Sequence, residues 1–395
     1  MKLAIISDFH LGYSKFTEDA LAQAKEAMKT ACEKGADALL LAGDLFDSRT
    51  PKQEIIAEAF EVLRIARESE RKECARIEGK RSLGIPAVAI HGTHERRTKG
   101  LVNPVQILEA ADFIVNAHNT RVILEKDGER VAVQGLGGVP DEYAKAALGA
   151  ANFKPVEGAF NIFMFHQTLV EYVPMKEELM SLEDLPRGFD LYVCGHMHLK
   201  RVENFGESGV LLIPGSTVIT QLKKEEQGNK GFFFFDTREK KAEFVEIPTR
   251  AFFFRELEFK EVNPAEISAR CKEEIEKAVS EVKEKAKPII KLRVSGTLAK
   301  GLESSNLDFA GLVRAFEGRA IIEIDRRIES SSLKEKIELL REIREKKKSV
   351  REMGLEILKA RLRENKCAFE GESEELFALL AENPEEALKK VLEKK

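Results

Sequence analysis

At 395 residues the chain is too long for one ordinary hydrophobic core, so two or three domains are expected. Its 43% hydrophobic content is that of a globular protein, and no apolar run approaches bilayer length, which argues against a membrane protein. A net charge of −4 excludes a uniformly basic nucleic-acid coat but leaves room for local basic patches, because arrangement and not the total sets the field at a site.

Five scattered cysteines (32, 74, 194, 271, 367) with no Cys-x-x-Cys pair exclude a structural zinc knot and point to a reduced, intracellular, cytoplasmic protein. Along the chain, Lys2 to Ser7 reads as a buried strand that stops at Asp8. Ala20, Leu21, Ala24, Ala27, Met28 and Ala31 then follow helical spacing. Ala38 to Ala42 is a second strand ending at Gly43-Asp44. Pro51 opens another helix, which its fixed φ suits at a first turn. The charged stretch from Ser69 to Ser82 reads as a helix extension or an exposed insertion. Ile85 to Ile90 is a third strand that ends just before Gly92.

Weaker strands are expected near 113–116, 121–125 and 130–134. Ile162 to Phe165 ends at His166, and Leu191 to Cys194 ends at Gly195-His196. Hairpin-like strands follow at 200–205, 210–213, 231–236 and 243–247. The alternation predicts an α/β fold: a layered domain over 1–249 with a central sandwich of mixed sheets flanked by helices, in the order α/β/β/α.

Beyond Pro248, strand, helix and strand patterns over 250–330 predict a small α+β domain. From residue 331 the chain is almost wholly helix-forming. Leu333, Ile337, Leu340 and Ile343 share one face, and Val350, Met353, Ile357 and Ala360 repeat it. Residues 331–366 hold 12 basic and 7 acidic side chains, whereas residues 367–395 hold 4 and 8. Asn383-Pro384 breaks the last helix. These helices read as a docking segment for a partner.

Five signatures sit at strand ends in this frame: Asp8-Phe9-His10, Gly43-Asp44-Leu45-Phe46-Asp47, Gly92-Thr93-His94-Glu95, His166-Gln167 and Gly195-His196-Met197-His198. Five of the seven histidines fall in them. In open α/β sheets, ligands bind beyond the carboxyl ends of strands, so loops distant in sequence can converge. Imidazoles mixed with carboxylates suit borderline dications, and a carboxylate such as Asp44 can bridge two of them. Asp8 and His10 are two apart, so an extended segment would send both side chains the same way. His196 and His198 repeat that spacing, serving one cation or two. Two such cations clamp a phosphoryl group, which makes a phosphoester the expected substrate. His94 is a candidate general acid for the leaving oxygen. Arg49, Lys52, Arg96, Arg97, Lys99, Lys200 and Arg201 flank the signatures and would hold a polyanionic backbone without reading its sequence.

In this order the signatures resemble those of the calcineurin-like metallophosphoesterases. With Leu11-Gly12 and Pro214-Gly215-Ser216 added, they are similar to the DNA repair nucleases called Mre-eleven in archaea and eukaryotes and SbcD in bacteria. The resemblance covers the first 250 residues by motif and the remainder by architecture. It implies a homodimeric, manganese-dependent nuclease with two Mn2+ per subunit (other dications being possible). Its activities would be 3'-5' double-strand exonuclease and single-strand endonuclease, in double-strand-break repair.

The same resemblance implies a DNA-capping role for 250–330. It also implies a Rad-fifty or SbcC type ATPase bound through the C-terminal helices, and association with the nucleoid. Asp8, His10, Asp44 and His198 would hold one metal. Asp44, His166 and His196 would hold the other, with Thr93 standing where the family has a ligand Asn. His94 matches the catalytic histidine. Asp47 occupies a position where some relatives have histidine; it is given no catalytic role, and is expected to orient a ligand or cap a turn. Two other readings use the same residues: a small-molecule phosphodiesterase or phosphatase, and a non-catalytic scaffold with a weakened metal site.

Overall fold

The computed structural model describes residues 1–71, 73–80, 84–98, 100–173, 179–207, 209–282, 286–302, 307–329, 350–364 and 373–387. Its first elements are β1 (Lys2–Ile6), α1 (Thr17–Glu33), β2 (Ala38–Leu41), α2 (Gln53–Arg67), β3 (Arg76–Ile77) and β4 (Ala87–Ala89). Next come α3 (Pro104–Ala110), β5 (Val115–Asn116), β6 (Arg121–Lys126), β7 (Glu129–Leu136), α4 (Asp141–Ala151) and β8 (Phe160–His166). The series continues with β9 (Leu191–Gly195), β10 (Arg201–Phe205), β11 (Gly209–Ile213), β12 (Gly231–Asp236) and β13 (Lys241–Glu246). It ends with β14 (Phe252–Val262), α5 (Pro264–Glu281), β15 (Ile289–Leu298), α6 (Phe309–Ala315), β16 (Ile321–Glu329), α7 (Val350–Glu364) and α8 (Ser373–Glu382).

Two sheets form the sandwich. One has the order β13-β12-β1-β2-β4-β5, the other β10-β11-β9-β8-β7-β6-β3. The continuous apolar runs seen in sequence have a direct cause: their strands, β1 and β2 among them, are buried on both faces. In β1, Leu3 and Ile5 point into the core between the sheets, while Ala4 and Ile6 point toward the helices; Leu40 and Leu39 divide the same way in β2. The outer core under the first sheet is lined by Ala24, Ala27, Met28 and Ala31 of α1, the alanines letting the helix approach the strands. Under the second sheet, Ala144 and Leu148 of α4 pack on Phe163, Phe165 and Tyr192. The layers therefore run α/β/β/α, as expected.

What positions the site is strand direction. β1, β2, β4 and β5 are mutually parallel, and so are β7, β8, β9 and β11. The carboxyl ends of β1, β2, β4, β8 and β9 carry the five signatures. The segment after α2 is no helix extension; it is a largely exposed stretch interrupted by a short strand. The helix stops at Arg67, and Arg76–Ile77 forms β3, antiparallel to β6. Ala75 and Ile77 are buried, and Arg71 pairs with the buried Asp37 at 3.0 Å, so the charges there cover a core edge instead of extending a helix.

The described chain divides into two compact units. The first comprises residues 1–255, 276–291 and 316–323; the second comprises 256–275, 292–315 and the residues from 324 onward. β14, β15 and β16 form a three-stranded sheet in that order. In α5, Ile267, Cys271, Ile275 and Ala278 are buried at spacings of three and four. In the second unit α7 packs on α8, where Gly354 faces the Phe377 ring so closely that an added Cβ would lie 2.3 Å from it. Residues 330–349, including the face of Leu333, Ile337, Leu340 and Ile343, lie outside the described residues, as do Cys367 and the Met353 side chain. No described helix is long and apolar enough to cross a membrane.

Candidate metal centre

The five signature loops meet. Asp8, His10 and His198 form one cluster of donor atoms within 4.8 Å of one another, and Asp44, His166 and His196 form a second. A third grouping, His10, Asp44 and His94, spans the two. Asp8, His10, Asp44 and His166 are all essentially buried, whereas the His94 side chain is 44% exposed at the rim.

The local backbone is not the extended one expected from the i, i+2 spacings. Asp8, His10, Asp44, His196 and His198 all have left-handed φ, between 48° and 77°. Non-glycine residues rarely adopt this region, and such strain collects where function requires it. Convergence of each pair is therefore a product of tight turns held by neighbouring loops: Asp8 N donates to Gly43 O at 3.0 Å and His10 N to Asp44 O at 3.0 Å. Two glycines are required by space. A Cβ on Gly92 would lie 2.1 Å from Asp44 Oδ1, and one on Gly43, itself at φ +93°, would lie 2.4 Å from His166 Nδ1.

Each histidine is aimed by what holds its Nδ1. His10 Nδ1 donates to Asp47 Oδ1 at 2.9 Å, and His166 Nδ1 to the Ala42 carbonyl at 2.7 Å. His198 Nδ1 is 2.8 Å from Thr220 Oγ1. Such partners fix the tautomer and leave Nε2 free as a metal donor. His196 differs: its Nδ1 lies 3.4 Å from Thr93 Oγ1, which is also 3.4 Å from Asp44 Oδ2. The loop carrying Thr93 is tied down by Glu95, whose buried carboxylate accepts from Phe46 N at 2.9 Å and Gly92 N at 2.7 Å. Burial, reinforced by Asp44, pushes the Glu95 carboxyl up to about 8.

The electrostatics describe a centre that wants positive charge. Burial opposes ionisation of Asp8, yet His198 and His166 hold its carboxyl at about 2; Asp44 is held well below the usual range by His166, also against burial. Burial lowers His196 to about 4. Asp8 Oδ1 and His166 Nε2 are buried with no hydrogen-bond partner, although His198 Nε2 stands 3.3 Å from the first and Asp44 Oδ2 3.1 Å from the second. Buried polar atoms left this way need a partner. Two dications fit the donor set in number and in chemistry.

At the rim, His94 Nδ1 donates to the Asp47 carbonyl at 3.1 Å and lies 3.3 Å from Asp47 Oδ1. The Asp47 hydrogen bond, working against burial, raises His94 to about 9. Asp47 thus orients both His10 and His94, the first of the two roles expected for it. Only the fold reveals Thr220 and Ala42 O, because neither belongs to a donor pattern legible in the chain. Arg49, Lys52, Lys200 and Arg201 are exposed, and Arg96 and Arg97 half-buried. Lys200 lies over the Phe244 ring at 4.1 Å, and Arg201 pairs with Glu203 at 2.8 Å. Lys99 lies outside the described residues.

Thr93 gives a first expected outcome. Its hydroxyl reaches no further than 3.4 Å from its neighbours, and an asparagine amide oxygen extends further and is the better neutral donor. Thr93→Asn is expected to tighten manganese binding by roughly tenfold, the lower end of what metal-site partners contribute. Identical titration midpoints in the two proteins would contradict this.

Comparisons with known proteins agree with the geometry. The family model for calcineurin-like phosphoesterases matches residues 1–200. The DNA double-strand break repair protein Mre11 of Methanopyrus kandleri is 31% identical over 257 residues, covering 60% of this chain and 54% of that one. Its counterpart in Sulfolobus acidocaldarius is 26% identical over 313 residues (75% and 76%). The double-strand break repair protein MRE11 of Homo sapiens is 24% identical over 361 residues (74% and 50%). The chain spans about half the length of the Methanopyrus and human relatives. With half of its length matched, and the matched half carrying all five converging loops, this chain belongs to the calcineurin-like phosphoesterase family.

Proposed function

We propose that this protein is a manganese-dependent DNA nuclease of double-strand-break repair. The observation that carries the reading is the pair of donor clusters, Asp8-His10-His198 and Asp44-His166-His196, with His94 exposed at their rim. The names of the relatives support the substrate.

Asp8, His10, Asp44 and His198 would hold one dication, and Asp44, His166, His196 and Thr93 the other. Bound there, two dications supply charge neutralisation of the phosphoryl oxygens and an acidified water as nucleophile. The chain's own residues do the rest. Asp44 offers a carboxylate to both clusters. Asp47 keeps the His94 imidazole protonated and oriented, so that it can donate a proton to the leaving alkoxide. With its pKa raised to about 9, that proton is present at neutral pH and is lost as pH rises through 9. Arg49, Lys52, Arg96, Arg97, Lys99, Lys200 and Arg201 would position the phosphodiester backbone. The activities would be 3'-5' double-strand exonuclease and single-strand endonuclease.

Comparing linear duplex DNA with a small chromogenic diester tests the substrate. The reading expects strong preference for DNA; equal or better turnover of the small diester would point to a small-molecule phosphodiesterase.

Two partner proposals follow. Leu101, Val102 and Ile107, at and before α3, are exposed large apolar side chains suited to burial in a homodimer. L101K/V102K is expected to convert a dimer to a monomer in analytical ultracentrifugation, and an unchanged mass would count against this face. Residues 250–330 would cap the DNA, and 331–395 would dock, helix on helix, on a coiled-coil ATPase of the Rad-fifty type. Deleting 333–395 should abolish co-purification with that ATPase while sparing manganese-dependent cleavage; retained co-purification would refute the docking role.

A further inference from the structure

A buried ion pair stands behind His198. Lys230, which immediately precedes β12, is 7% exposed, and Glu226 is 5% exposed. Their charged groups meet at 3.0 Å, and Lys230 Nζ also donates to Ser216 Oγ at 2.9 Å. The Glu226 carboxylate accepts from Thr220 N at 3.2 Å and from Gln221 N at 2.8 Å. The pair therefore clamps both ends of the 216–221 loop. Between the clamped ends, Thr220 brings its hydroxyl to 2.8 Å from His198 Nδ1, while Tyr13 Oη donates to the Thr220 carbonyl at 2.8 Å.

Packing alone does not account for this choice of residues. Two apolar side chains of similar volume would fill the space at no electrostatic cost, but would leave two backbone N–H groups without their acceptor. What the charged pair adds is loop geometry.

That geometry matters because the two nitrogens of His198 face different surroundings. Nε2 is 3.3 Å from Asp8 Oδ1 and 3.0 Å from His10 Nε2, inside the candidate metal centre. A neutral imidazole can offer the Nε2 lone pair only if Nδ1 carries the proton, and that proton needs an acceptor. When a cation stands in place of a proton between Nε2, Asp8 Oδ1 and His10 Nε2, Thr220 Oγ1 is such an acceptor. The Gln221 amide nitrogen, a donor at 3.5 Å from the same Nδ1, would favour the opposite tautomer but is too distant to compete.

We propose that Lys230 and Glu226 are positioning residues for the metal centre: by clamping the 216–221 loop they set Thr220 against His198 Nδ1, and so fix Nε2 as the nitrogen turned to the cation. The inference rests on the reading of His198 as a metal ligand.

The test uses the full chain and four variants: T220V, T220S, E226Q/K230M and the triple combination T220V/E226Q/K230M. Removing both charges together avoids a lone buried ion, and thermal melts confirm folding. Two readouts are taken: the His198 Nδ1–H signal by nitrogen-15 NMR of the protein loaded with diamagnetic Zn2+, and Mn2+ affinity from the free-ion EPR signal. The expected result is a hydrogen-bonded Nδ1–H in the wild type, loss of that hydrogen bond in T220V and in E226Q/K230M, and manganese binding weaker by about tenfold. T220S should restore both, and the triple variant should be no weaker than T220V, since the pair acts through the threonine.

A wild-type Nδ1–H signal and wild-type affinity in a folded E226Q/K230M, or additive losses in the triple variant, would overturn the proposal while leaving the ligand reading intact. A wild type that binds no manganese would overturn both, and the wild-type titration alone reveals that case.

Discussion

Asp44→Asn is expected to reduce manganese-dependent cleavage of duplex DNA by about three orders of magnitude or more, and to leave the chain with at most one bound dication. The Asp44 carboxylate is the group on which the site converges. Oδ1 accepts from His94 N at 2.8 Å, and Oδ2 lies 3.1 Å from His166 Nε2 and 3.4 Å from Thr93 Oγ1. It is 1% exposed, so no water replaces it. An amide keeps the shape and the acceptor for His94 N but removes the charge that two cations would share. Loss of one cation removes several kcal/mol of transition-state stabilisation, at about 1.4 kcal/mol per tenfold in rate. Steady-state cleavage of end-labelled duplex, with metal content measured on the same samples, checks both halves. Substantial cleavage with two bound ions would show that Asp44 bridges nothing.

The second large effect separates chemistry from metal binding. His94→Ala should slow DNA cleavage by about 10²–10⁴, the usual contribution of a positioned general acid, with manganese stoichiometry unchanged. His94 sits at the exposed rim, with its ring held through Nδ1 by Asp47 and 4.9 Å from the His10 ring in an edge-to-face arrangement. Removing it takes away the proton donor without opening the buried clusters. A parallel loss of bound metal in His94→Ala would reassign it to the ligand set with His10 and Asp44, a grouping whose donor atoms also lie within 4.8 Å.

How much of this was legible in the chain differs by element. The sandwich was, because strands buried on both faces write themselves as unbroken apolar runs, as in Leu3 to Ile6 and Leu39 to Leu41. The donor residues were too, since carboxylates and imidazoles fall at the ends of those runs. The backbone that joins them was not. Spacing suggested extended pairs at Asp8-His10 and His196-His198, whereas the turns are left-handed, imposed by hydrogen bonds from loops far away in sequence.

The partners that aim the histidines were equally hidden. Asp47 stood in a signature, but Thr220 and the Ala42 carbonyl are an ordinary residue and plain backbone until the fold sets them against a ring nitrogen. Short pairings were hidden as well: β3 has two residues, too few for a periodic signal, and only its register with β6 defines it.

The central claim is that these loops build a centre for two cations, and the most direct measurement is a manganese titration of the purified full chain followed by EPR of the free ion. Two equivalents bound per chain, with Asp8→Ala and His166→Ala each removing one, is the result expected from the two clusters. Fewer than one equivalent at saturating manganese would contradict it and leave a phosphoesterase fold without its chemistry.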